Sequence, residues 1–312
     1  MSQPVLGSRT SPYLQSKLVL LGCENVFAQI PDLVASLLCI EVNTSQSYRI
    51  CQAASQALEA EELEEPSSAL QASLESGQAP VYGMVDGSFL LLDGGWQEVK
   101  VGRVFTAVAH QQTASEALKW QMEQSEYIAS RGNCQEFSAC FERLLPADSA
   151  AEQVFVTDGA IWIQHWLERS YPHATHILDF FHVKEKLADA AQFAISPQMW
   201  LNRQCDQLLE GSSSCVEEAV RLLPMPSAQQ EKLLHYLQNN RQRMRYNEYR
   251  KRKRMISSGP IESAHRTLLQ ARMKRSGQRW SEHGADNMIK LRTAVMSKKM
   301  ELVYNLFRNK AA

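Results

Sequence analysis

One short unit limits the fold more than any other. Gln153–Thr157 ("QVFVT") is an apolar strand, Ala160–Ser170 reads as a helix, and Thr175–Phe180 ("THILDF") is a second strand. A strand that returns by way of a helix lies parallel to the first, and such crossovers are right-handed. The chain is therefore expected to contain an open α/β sheet, whose ligands gather at the carboxyl ends of the strands. "VTDGAIWIQHW" puts Asp158 at such an end. An Asp there also caps helices, and Asp-Gly is common turn chemistry.

More strands lie upstream. "VYGMV" (81–85) and "SFLLL" (88–92) flank Asp86-Gly87, and "WQEVKVGRVFTAVAH" (96–110) follows a Gly94-Gly95 turn. Alternation of Val with polar residues in its first half marks a half-buried strand. Together these predict a three-stranded antiparallel meander. Asn133 should cap a helix reaching Leu145. The stretch from Val183 to about Tyr249 is helical, with breaks at Ser196-Pro197, Gly211–Ser214 and Pro224–Pro226, and a final helix starts after Gly259-Pro260.

The expected domains are a helical region over 1–57, an acidic linker over 58–80, a first core part over 81–182, a helical insertion over 183–250, and a final core helix with a basic C-terminal region over 251–312. In the first region a helix near Asp32–Leu38 precedes one that starts at Asn43 or Thr44, a helix-turn-helix-like pattern. A plain helical hairpin fits the same residues. Leu33, Val34, Leu37 and Leu38 would form its apolar stripe, and Ile40 and Val42 would close the turn. Thr44, Ser45, Gln46 and Arg49 would then open the reading helix, with Arg49 placed for a bidentate guanine contact.

Composition excludes several classes. No apolar run approaches the length of a membrane span, and the first 20 residues have no signal-peptide pattern. The seven cysteines include no Cys-x-x-Cys pair, which argues against a zinc site and for thiols in a reducing cytosol. The net charge of −1 conceals a sharp division. Ile50–Val99 has no Lys or Arg, whereas Arg241–Arg279 carries 13 against two Glu. That segment includes Arg250, Lys251, Arg252, Lys253, Arg254, Arg272, Lys274 and Arg275, candidate contacts to a phosphate backbone. A solvated helix face is the alternative.

Three acids occupy special points: Asp86 after the first strand, Asp158 after the later apolar strand, and Glu262 in the first turn of the last helix. Carboxylates at strand ends can share hard cations, and two such ions can clamp an in-line phosphoryl displacement. Each acid also has an ordinary reading. Asp86-Gly87 makes a hairpin turn, Asp158 a helix cap, and Glu262 a third-position residue behind Gly259 and Pro260, favoured by the helix dipole.

The blocks "VDGSF", "GGWQEVKVGRVF", "VTDGAIWI", "ILDFFHVKEKL" and "SSGPIESAHRTLLQARMKRSGQRWSEHGADNMIKLR" resemble bacterial insertion-sequence transposases of the DDE class, the ISKra-type group, across about residues 81–293. The resemblance implies an RNase H-like mixed sheet core with an all-α insertion before the last acid. It implies Asp86, Asp158 and Glu262 as catalytic, metal-holding residues, supported by Asp179 and His182 of a D-x-x-H element. It also implies two Mg²⁺ ions, with Mn²⁺ able to substitute. Lys100 lies in a matching block, as a DNA contact or a strand-face residue. Expected partners are the double-stranded terminal inverted repeats and target DNA, bound by a homodimer or higher oligomer in the cytoplasm at the nucleoid, with no membrane. The alternatives are a non-catalytic DNA-binding regulator or relic, and an RNase H-like nuclease that cuts without joining.

Overall fold

The parallel pair forms as the connections require. In the computed structural model, which describes residues 10–110 and 119–308, β4 (Gln153–Thr157) runs parallel to β5 (Thr175–Leu178), with α7 (Ile161–Ser170) between them. β1 (Val81–Leu92) joins β4 in parallel and β2 (Gly95–His110) antiparallel, and β3 (Lys119–Ser130) closes the far edge. The result is a five-stranded mixed sheet in the order β3-β2-β1-β4-β5. The protein is α/β.

The meander differs from its expected form. β1 does not stop at Asp86 but runs on, with Asp86 opposite Val101 and Gly87 opposite Lys100. The chain turns at Asp93-Gly94 instead, helped by Gly95 at φ +110°. Gly87 lies beside the Glu98 carboxylate, whose oxygen would be 2.5 Å from a Cβ there and would have to swing aside. The third strand, β3, lies in a polar stretch whose pairing shifts register between Val104 and Thr106.

Strand alternation builds a core on each face. Val81, Val85, Val104 and Phe155 point to one side and pack with Phe137, Phe141 and Trp166 from α6 (Cys134–Leu144) and α7. α5 (Ser68–Ser76) joins that side through Leu70 and Leu74, after the short α4 (Ala60–Glu64). These two helices replace the expected linker. The acidic segment orders because Leu63, Leu70 and Leu74 are buried and Glu64 pairs with Arg143.

Met84, Val99, Val101, Val154 and Val156 face the other core. Against them lie α8 (Phe180–Ala191) and an all-helical block of α9 (Pro197–Glu210), α10 (Ser213–Arg221), α11 (Ser227–Asn240) and α12 (Tyr246–Lys251). The chain re-enters at α13 (Gly259–Ala264), which continues through a π-helical turn (His265–Gln270) into α14 (Ala271–Met273). Trp280 and Tyr246 are buried and Trp200 partly so, which makes all three packing residues.

The N-terminal helices are not a separate body. α1 (Pro12–Glu24), α2 (Ile30–Leu38) and α3 (Thr44–Ala57) share a third core with α15 (Glu282–Met296) and α16 (Met300–Arg308). Asn43 caps α3 as expected, accepting from Gln46 N at 2.7 Å. In α2 only Ile30 and Val34 are buried, and Leu37 of the expected apolar stripe is 70% exposed. No helix among the described residues is long and apolar enough to cross a membrane.

Candidate active site

Where β1 passes β4, two carboxylates come side by side from distant parts of the chain. Met84 pairs with Val156, so Asp86 and Asp158 each lie two residues further along adjacent parallel strands. Asp158 sits in a turn made possible by Gly159 at φ +86°, where a Cβ would meet Leu178 at 2.7 Å. The Asp158 carboxylate does not act as the helix cap. α7 is capped at Ala160 without a side-chain bond, and one Asp158 oxygen accepts only the loop amide of Ala160, at 2.9 Å.

Glu262 arrives on α13. The helix cap is Ser258, one residue earlier than the Gly259 cap expected, and Gly259 and Pro260 open the helix. Ser258 leaves its capping role and turns its hydroxyl to Asp179, at 2.7 Å from Oδ2, while its amide lies 3.3 Å from Oδ1. The same hydroxyl is 3.3 Å from Glu262 Oε1. One hydroxyl has one proton to donate, and the shorter contact takes it. Glu262 is left exposed and without a strong donor.

Asp179 is the buried hinge of this corner, only 4% exposed. It accepts from Phe181 N at 3.0 Å and so caps α8, and its own amide donates to Thr157 O at 2.8 Å. Phe180 N bonds to Ile256 O, stitching the returning chain to the end of β5. Asp86, Asp158, Asp179, His182 and Glu262 thus line one cleft of about 150 Å³, with Glu185 and Ser258 beside them. Larger hollows, of about 460 and 750 Å³, lie elsewhere; the first is lined by Glu64, Glu136 and Asp286 together with Arg131 and Lys290, and the second by Glu218 alone among acids. His182 Nδ1 is 3.6 Å from Glu185.

Among the described residues no three His, Cys, Asp or Glu side chains stand close enough to hold an ion by themselves. Mg²⁺ does not need such a cage. It keeps several waters and takes one or two carboxylates plus substrate phosphates. Asp158 and Glu262, each with one oxygen free of any protein hydrogen bond among the described residues, fit an ion that completes its shell with water and substrate.

A family model described as Uncharacterised protein family (UPF0236) matches residues 109–301, more than half of the 312. The chain belongs to this family. No curated protein matches it. The UPF0236 match takes in Asp158, Asp179, His182 and Glu262, whereas Asp86 lies before it.

The basic candidates divide into two sets. Arg250, Lys251, Arg252, Lys253, Arg275 and Arg49 are exposed. Others are engaged by partners within the protein. Lys100 is 6% exposed and bound to Glu98 at 2.9 Å and to Gly132 O. Arg272 is 1% exposed, donates to Gly22 O, and is sandwiched between the rings of Phe27 and Trp280 at 4.9 and 5.1 Å. Burial pulls its pKa down to about 10. Arg254 pairs with Glu152, and Lys274 donates to Ser88 Oγ at 2.5 Å.

Two residues of the corner, Ser258 and His265, carried no sequence signal beyond proximity to Glu262. His265 lies one turn after Glu262, and its Nε2 is 3.2 Å from Asp86 Oδ2.

Proposed function

We propose that this protein is a DDE-type transposase of an insertion sequence, an ISKra-type enzyme that cuts DNA at the element ends and joins the freed 3′-hydroxyl to a target. The observation that carries the reading is the meeting of Asp86, Asp158 and Glu262 in one cleft, from two parallel strands and the helix that follows a helical insertion. The strand order, three antiparallel then two parallel, supports an RNase H-like core.

Asp86, Asp158 and Glu262 would be the residues that hold a bound cation, with water and substrate oxygens completing its shell. Mg²⁺ there, one ion or two, would offset charge on the attacking and leaving oxygens of an in-line displacement. The chain itself supplies placement. Gly159 sets the Asp158 turn, and Asp179 and Ser258 fix the start of α13. The exposed cations of Arg250–Lys253 would hold the flanking backbone.

The test is incubation with DNA carrying the flanking element ends, with and without Mg²⁺, scored for nicks and for joined products. Mg²⁺-dependent nicks and joints support the reading. Nicks without joints make the protein a nuclease, and binding with neither makes it a regulator.

A further inference from the structure

Asp86 has a buried titratable neighbour on the helix that carries Glu262. His265 is 5% exposed, and neither ring nitrogen completes an aligned hydrogen bond. Burying a polar ring without bonded partners is costly, so native exceptions call for an explanation, often a functional one. Asp86 Oδ2 lies 3.2 Å from His265 Nε2. The other Asp86 oxygen, Oδ1, accepts from Gly87 N at 2.7 Å.

The helix makes this pairing specific. Glu262 and His265 are three apart and share a face. The helix that delivers Glu262 to the cleft therefore also presents the imidazole to Asp86. A π-helical turn begins at His265 itself and runs to Gln270. Such turns are uncommon and recur at functional sites, because they rotate the following side chains relative to the preceding ones. Within this turn Leu268 and Leu269 are buried, and His265 lies beside Asp86 of β1.

We infer that His265 is the positioning residue for Asp86. Its Nε2 stands 3.2 Å from Oδ2 but off the line of a hydrogen bond, and a small rotation of ring or carboxylate when a cation binds would give each oxygen a protein donor and fix the plane of the group. Each oxygen keeps a lone pair for a cation. Outer partners of this kind orient ligands and typically change metal affinity by about 10–100-fold when removed. The loose alignment matches catalytic contacts that tighten only when substrate is bound. This inference rests on the reading of Asp86 as a cation-facing acid.

The test measures Mn²⁺ binding to the full chain by electron paramagnetic resonance, with His265→Phe, His265→Gln and Asp86→Asn. His265→Phe keeps a ring of similar size without the donor, and His265→Gln restores an N–H near the Nε2 position. Asp86→Asn should abolish the site, His265→Phe should weaken it about tenfold, and His265→Gln should stay within about threefold of wild type, by the same scale. If Asp86→Asn loses binding and His265→Phe binds as wild type does, His265 has no positioning role, and the Asp86 reading stands. If Asp86→Asn binds unchanged, the cation reading at Asp86 fails and this inference with it. A second readout needs no metal. The imidazole ¹⁵N spectrum should show a proton on Nε2 of His265 that shifts in Asp86→Asn, and a bare Nε2 overturns the proposal even where a variant folds poorly.

Discussion

The hydroxyl of Ser258 donates to Asp179 Oδ2 at 2.7 Å, so the residue that caps α13 is tied to the residue that follows β5 and caps α8. Asp179 is 4% exposed and relies on protein donors. Ser258→Ala removes one and leaves a buried charge undersupplied, which should cost about 1–3 kcal/mol. It should also lower cleavage by loosening the start of the Glu262 helix. Urea unfolding with a nicking assay checks both, and Ser258→Thr should restore each. An unchanged unfolding midpoint would remove the anchoring role.

The exposed cations Arg250, Lys251, Arg252 and Lys253 should contact phosphates. Replacing all four by Gln should weaken every DNA sequence alike and reduce the log–log salt slope by about one unit for each phosphate no longer neutralised. Arg254 and Arg272 should behave differently, since Glu152 and the Phe27–Trp280 pair hold them. Their replacement should lower stability first. Filter binding across a salt series distinguishes the sets. A sequence-selective weakening with an unchanged slope would mean base readout instead.

On α3, burial of Ser47, Ile50, Cys51 and Ala54 leaves Ser45 and Arg49 on the outer face. Arg49→Ala should cost about 1–3 kcal/mol at one base position, and metal-dependent nicking of pre-bound substrate should survive. Competition between element-end and random DNA measures this. Unchanged end preference would move recognition to the helical block.

His176 on β5 is enclosed beside Thr157, 2.8 Å from Nε2 to Oγ1, and burial with the nearby Arg243 charge lowers its pKa from 6.5 to about 3. The native ring stays neutral where the unfolded one takes up a proton. Its contribution is therefore complete above pH 6.5 and lost as pH falls toward about 3. The slope approaches about 1.4 kcal/mol per pH unit. Unfolding free energies between about pH 6.5 and pH 4 should fall less steeply for His176→Gln. Equal slopes would contradict the depressed pKa.

The βαβ unit was legible because its strands are short apolar runs and its connections leave one handedness. Helix breaks in the insertion were legible through Pro and Gly. The path of β1 was not, because Asp86-Gly87 has the chemistry of a turn and yet lies mid-strand, paired to Val101 and Lys100. β3 was missed because an edge strand with a register shift has no clean alternation, and only Glu126, Tyr127 and Ile128 of it are buried. Asp158 and Glu262 were legible as residues at element ends, whereas Asp86, read as the end of a strand, lies within β1. Ser258 and His265 were not, since each acts through contacts 79 or more positions away in the chain.

The central claim is that Asp86, Asp158 and Glu262 act together on DNA through a divalent cation. The direct measurement is nicking of element-end DNA by wild type, Asp86→Asn, Asp158→Asn and Glu262→Gln, with Mg²⁺ and with excess chelator. Wild type should cut only with Mg²⁺, and each variant should lose about 100-fold or more while still binding the end. Cutting that survives chelation, or any of the three variants cutting near the wild-type rate, would contradict the account.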